Sequence, residues 1–272
     1  FAEGATTKPF DTWILLQNPN LTTAHVTLSF LKEDGTTVVR AFTVAPQTRL
    51  NVFANQIVPN AAIATQVTSD LPIVAERSMY FNGGGHGSSG VTAAGTQWYL
   101  AEGFTGGAFD TWLLLMNPNQ TSAQAVVTFF KEDGTTVARN FTLIARSRLN
   151  IYANQIVPGV AFATRITSTL PIVAERSMYF GAATQRGGHN SEAAASPARV
   201  WTLAEGATTA PFNTFVLISN PNSVAANTAV TFLKEDGSTV LRNYVIAPTS
   251  RFTIWVNQIV PNAALSTVIV SD

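Results

Sequence analysis

The sequence predicts an all-β protein built from antiparallel β-sandwiches of immunoglobulin-like size, arranged in tandem. Three observations predict it. A stretch of 20 residues occurs three times: FAEGATTKPFDTWILLQNPN from Phe1, LAEGFTGGAFDTWLLLMNPN from Leu100 and LAEGATTAPFNTFVLISNPN from Leu203. Ala2, Ala101 and Ala204 are aligned, so the periods are 99 and 103 residues. That exceeds the roughly 20–50 residues of a solenoid repeat and fits whole domains in series. Within one copy, short β-rich runs alternate with turn signals, and no 3.6-residue period is sustained.

The second copy shows the elements in order. β-rich runs fall at Trp98–Ala101, Thr111–Met116, Ala125–Lys131, Thr135–Leu143, Arg148–Tyr152, Phe162–Ser168 and Ile172–Phe180. Such a series of short strands with turns between them reads as a sandwich. The run Thr111–Met116 is apolar on both faces, which marks a central strand. Trp112 is read as its core aromatic, with Trp13 and Phe215 at the matching positions. In Arg148–Tyr152, Leu149 and Ile151 face inward, leaving Arg148, Asn150 and Tyr152 outward as a surface cation–π contact or an interface patch.

The Lys-Glu-Asp-Gly turns fix a register. A two-residue loop would place Phe130 opposite Val137. A three-residue loop with a glycine bulge places Phe129 there, Val127 opposite Arg139 and Ala125 opposite Phe141. The equivalent pairs are Phe30 with Val38, Val26 with Phe42, and Phe232 with Val240. The longer loop aligns the apolar faces, and a one-residue slip would mix them. This register sets Arg40, Arg139 and Arg242 among apolar neighbours. Buried arginines need partners, so structural ion pairs are expected, with Glu76 and Glu175, or Glu3, Glu102 and Glu205, as the carboxylates.

The expected boundaries are residues 1–81, 98–180 and 201–272 for the three sandwiches, with Gly/Ser/Ala-rich linkers at 82–97 and 181–200. The segment LPIVAERSMYF, at Leu71–Phe81 and Leu170–Phe180, has no third occurrence before Asp272. The third sandwich is therefore expected to take its last strand from further chain or from a neighbouring copy, which makes copies of the chain its head-to-tail partners.

Composition narrows the function. Hydrophobic residues make up 46% and charged residues 12%, enough apolar surface for real cores. Sixteen basic and sixteen acidic residues cancel, so no basic stripe points to nucleic acid. The absence of cysteine excludes disulfides and thiolate metal sites. No apolar run approaches the roughly 20 residues that span a bilayer. His25 becomes Gln124 in the next copy, and His86 and His189 fall in the Gly-rich segments, read as solvated loops. No nucleophile elbow and no Asp-x-Asp-x-Asp-Gly loop occurs. No enzymatic activity and no cofactor are expected.

The combined signature Leu-Ala-Glu-Gly-x-Thr, Phe-Asp-Thr-Trp-x-Leu-Leu, Asn-Pro-Asn, Lys-Glu-Asp-Gly-Thr, Asn-Gln-Ile-Val-Pro and Ala-Glu-Arg-Ser-Met-Tyr-Phe resembles tandem domains of large secreted and surface proteins of prokaryotes. The resemblance covers nearly the whole chain; Asn213 and Phe215 depart from it. It implies export to the cell surface and an architectural or adhesive role, and it brings no catalytic residues. Two functions follow. One is an extracellular structural protein, a segment of a filament, pilus-like fibre or stalk. The other is an adhesive or carbohydrate-binding array, with Phe53, Tyr152 and Trp255 as outward rings that would contact cell-surface glycans.

Overall fold

The computed structural model describes residues 1–182 and 185–272, with side chains described outside 182–186. The chain is all-β, 60% strand against 4% helix, and its strands pair antiparallel. Each repeat contributes two sheets. In repeat 1, β2 (Ala24–Lys32) lies between β3 (Thr37–Val44) and β5 (Ile63–Ser69). In its second sheet, β1 (Asp11–Asn18) lies between β4 (Thr48–Phe53) and β6 (Val74–Phe81), with β7 (Gly84–Ser88) beyond β6.

Repeat 2 joins its two sheets through one long strand. Here β10 (Ala123–Lys131) lies between β11 (Thr136–Leu143) and β13 (Phe162–Ala182), with β8 (Gly95–Leu100) on the far side of β13. The later half of β13 pairs with β9 (Asp110–Asn117) and β14 (Gln185–Glu192), and β9 also pairs with β12 (Ser147–Tyr152). In repeat 3, β17 (Ala226–Lys234) pairs with β18 (Thr239–Ile246) and β20 (Leu265–Ser271), and β15 (Val200–Leu203) flanks β20. Its second sheet holds β16 (Phe215–Asn220) and β19 (Ser250–Trp255).

Three core clusters each draw mainly on one repeat. In the first, Ile14 and Leu16 of β1 meet Val26, Leu28 and Phe30 of β2. Alternation along each strand sends these residues inward and their neighbours outward. The hairpin register is the one the apolar faces select: Phe129 pairs with Val137, Phe30 with Val38 and Phe232 with Val240. Gly35, Gly134 and Gly237 take φ near +80°, the left-handed bulge position of a three-residue loop. Asp34 closes that loop by accepting hydrogen bonds from the Thr36 amide and hydroxyl.

The segments read as linkers differ from expectation. They carry β7, the first half of β8, and β14. Their glycines answer to close approach. A Cβ on Gly85 would lie 2.8 Å from the Tyr80 ring, and one on Gly187 would lie 2.5 Å from the Phe180 ring. Glycine lets a strand run beneath an aromatic ring.

The repeated asparagines hold the connections between strands. Asn18 is fully buried. Its Nδ2 donates to the carbonyls of Thr22, Val44 and Ala45, and its Oδ1 accepts from the Asn20 amide. Asn117 and Asn220 do the same in their repeats. Asn55, Asn154 and Asn257, of the Asn-Gln-Ile motif, bind the amides of Thr12, Thr111 and Thr214. Asn117→Ala leaves buried carbonyls unpaired at about 1–3 kcal/mol each. We expect thermal unfolding to shift down by at least about 4 °C; an unchanged midpoint would contradict this role.

Candidate functional site

A strand apolar on both faces needs two covers. Leu113 and Leu115 of β9 enter the repeat 2 core, while Leu114 and Met116 point the other way. These two are buried with Val173 against Ala2, Leu31 and Ala64 of repeat 1. The outer face of the second sheet of repeat 2 is thus packed against repeat 1. Burial of such side chains contributes about 1.5–3 kcal/mol each.

Arg148 fixes the register of this junction. It projects from β12, is buried, and donates to the backbone carbonyls of Gly4 and Ile63, the latter at 2.8 Å. Its Nε donates to Asn150 Oδ1 at 2.6 Å, and Asn150 Nδ2 donates to Glu33 Oε1 at 2.8 Å. Burial pulls the guanidinium pKa down, and the charges of Glu3 and Glu33 oppose that shift.

Beside it lies a buried polar cluster drawn from both repeats. Arg77, fully buried, donates to Glu3 Oε2 at 2.7 Å and to Asn190 Oδ1 at 2.9 Å. Its Nη2 also lies 3.5 Å from Glu175 Oε2, an ion-pair contact outside hydrogen-bond geometry. The Tyr179 hydroxyl donates to Glu3 Oε1 at 2.7 Å, and Asn190 Nδ2 donates to Glu3 Oε2 at 2.9 Å. Glu175 Oε1 accepts the Ala2 amide at 2.6 Å. Burial would raise the Glu3 pKa; Arg77, His86 and hydrogen bonds from Ser177 and Tyr179 outweigh it and hold it at about 2. Burial pulls His86 below its usual value, a shift that Glu3 opposes and Arg77 and His189 reinforce. Burial and the neighbouring Glu3 push the Tyr179 phenol up.

The second junction uses the same strands as the first, but Arg251 Nε and Nη1 make no hydrogen bond there, whereas Arg148 meets two carbonyls. β19 of repeat 3 lies against β10 and β13 of repeat 2, as β12 lies against β2 and β5. Arg251, at the position of Arg148, is buried with Nη1 3.8 Å from Glu132 Oε1. Thr253, at the position of Asn150, donates to the same Glu132 oxygen. Glu132 occupies the position of Glu33. Glu102, Arg176 and His189 match Glu3, Arg77 and His86: Arg176 Nη1 lies 2.9 Å from Glu102 Oε2, and His189 Nδ1 lies 3.1 Å from Arg176 Nη2.

Several residues stand elsewhere than the sequence suggested. Arg40, Arg139 and Arg242 are exposed and donate to the carbonyls of Val39, Ala138 and Leu241. Their register is as expected, but β3, β11 and β18 are sheet edges, and a long side chain reaches water past the rim. The buried ion pairs belong instead to Arg77 and Arg176. Glu175 and Glu3 are in the cluster, and Glu102 holds Arg176. Glu76, which occupies the same motif position as Glu175, is exposed. Trp13, Trp112 and Phe215 are not core aromatics. Alternation gives the inward positions to Ile14, Leu113 and Val216, so the rings stack on the outer face with cross-strand partners. Trp13 meets Phe53 at 4.6 Å, Trp112 meets Tyr152 at 4.5 Å and Phe215 meets Trp255 at 6.2 Å. His86 and His189 lie on strands, not in solvated loops, with His86 against Phe81 and Tyr179. The two-sided apolar run Thr111–Met116 was the available signal for the junction. Nothing local marked Arg77 or His86 as charged-cluster members, because their carboxylate partner Glu3 is 74 or more residues away.

Among the described residues no cluster of His, Asp and Glu is arranged to hold a metal ion. No helix among the described residues is long and apolar enough to cross a membrane. No protein-family model and no curated protein matches the chain. Solved structures similar to part of it include Thermotoga maritima 1070, at 16% identity and TM-score 0.35, covering 37% of this chain and 94% of that one. The Anabaena sensory rhodopsin transducer matches at 25% identity and TM-score 0.28, covering 31% of this chain and 82% of that one. At these scores neither likeness bears on fold or function.

Two outcomes follow from the cluster. Arg77→Ala strands two buried carboxylates and is expected to cost about 3–5 kcal/mol in urea unfolding. Arg40→Ala is expected to stay within about 0.5 kcal/mol of the parent; equal effects would contradict the assignment. Acid is the second lever. The lowered His86 pKa means the unfolded chain takes up a proton that the folded chain resists, so stability falls once pH drops below about 6.5. Glu3 contributes above its unfolded value of 4.5, and that contribution is lost as pH falls through about 2. Unfolding free energy measured from pH 7 to 2 should decline across both windows; a flat profile would refute the cluster's electrostatics.

Proposed function

We propose that the protein is an extracellular structural element: immunoglobulin-like β-sandwiches stacked in series as a segment of a filament, pilus-like fibre or surface stalk. The observation that carries this reading is the recurrent junction. Equivalent positions meet at both junctions: Asn150 donates to Glu33 between repeats 1 and 2, and Thr253 and Arg251 meet Glu132 between repeats 2 and 3. Near-identical units joined through equivalent strands extend a chain; they do not build a single reaction centre. Zero net charge reduces repulsion between close-packed units. The Trp112 ring, which stacks on the glycan candidate Tyr152, packs against the junction clusters, which supports the architectural reading.

One observation favours the adhesive alternative. In repeat 3 the stacked Phe215 and Trp255 rings are 52% and 42% exposed, as a sugar-stacking platform would be. Electron microscopy of the native material, with a glycan array run on the purified chain, separates the two. The structural reading expects linear fibres or stalks and no glycan signal. Specific glycan binding that is lost on Trp255→Ala, without any linear assembly, would replace it with the adhesive reading.

A further inference from the structure

The junction rule leaves two faces uncovered, one at each end of the described structure. On repeat 1, Val74 is 48% exposed, whereas Val173 at the same position is 6% exposed beneath repeat 1. Arg49 and Asn51 are exposed where Arg148 and Asn150 make the first junction. On repeat 3, Leu233 is 37% exposed, whereas Leu31 and Phe130 at the same position are 0% and 1% exposed. Glu235 holds the position at which Glu33 and Glu132, themselves exposed, receive the next repeat.

We propose that these faces pair with each other: the Arg49 face of repeat 1 docks on the Leu233 and Glu235 face of repeat 3 in a second copy of this chain. The proposal rests on the serial-array reading and names the partner surface. Charge matches, with Arg49 brought to Glu235 as Arg251 is brought to Glu132. Shape matches too. The Gly206 and Leu265 carbonyls occupy the positions of the Gly4 and Ile63 carbonyls that accept Arg148. Gly206 O accepts the Leu265 amide at 2.8 Å, as Gly4 O accepts the Ile63 amide at 2.9 Å while also taking the arginine; a carbonyl has a second lone pair for this. Val74 and Leu233 supply the apolar contact. The two faces differ, so the contact is head-to-tail and propagates unless it closes.

The absence of native cysteine makes a clean test possible. The full chain carrying Asn51→Cys and Glu235→Cys is treated with a short bismaleimide crosslinker and run on a denaturing gel. A second chain carrying Asn150→Cys and Glu33→Cys reports the internal junction. We expect a ladder of dimers and higher species from the first chain, lost when Arg49→Glu is added, and an intrachain bridge from the second. Monomer alone from the first chain, an intrachain 51–235 bridge, or a ladder that survives Arg49→Glu would overturn the proposal. If the internal bridge still forms in those cases, the serial array itself stands. Failure of the internal bridge would remove the array reading.

Discussion

A β-strand that is apolar on both faces has to be covered twice, and the rest of this structure depends on that constraint. β9 buries Leu113 and Leu115 in its own core and Leu114 and Met116 against the preceding repeat. The first cover makes a two-sheet unit; the second makes one unit the partner of the next. The junction is therefore set by the same alternation that makes the strand.

Apolar contact alone would leave the repeats free to slide. Arg148 removes that freedom, because its donors have to meet two particular carbonyls once water is excluded. Arg77, Glu3, Tyr179 and Asn190 add a network whose members come from both repeats. Each carboxylate there is acceptable only while its donors stay in place, so partial separation is unfavourable. Cohesion comes from the leucines and the methionine, and orientation from the charges.

Much of the fold was legible in the sequence. The period revealed the repeats, and the apolar faces chose the hairpin register over its one-residue rival. Legibility ended where a residue's surroundings come from far away in the chain. Arg40 sits among apolar pairs in two dimensions, yet the sheet edge gives it water. Arg77 is separated from Glu3 by 74 residues, and no local pattern ties them. Glu76 and Glu175 share one motif and differ only in what lies against them. The glycines of 82–97 read as flexibility, whereas Gly85 and Gly90 let the chain pass close to the Tyr80 and Phe1 rings.

The central claim is that repeat 1 and repeat 2 form one energetic unit across the apolar cluster that holds Leu31 and Leu114. A double-mutant cycle on that pair, Leu31→Ala and Leu114→Ala singly and together, followed by urea unfolding, tests it most directly. The account predicts a coupling of at least about 0.5 kcal/mol, beyond the range in which distant sites simply add. Additivity within about 0.3 kcal/mol would mean that the two leucines do not meet in solution and would contradict the stacked arrangement.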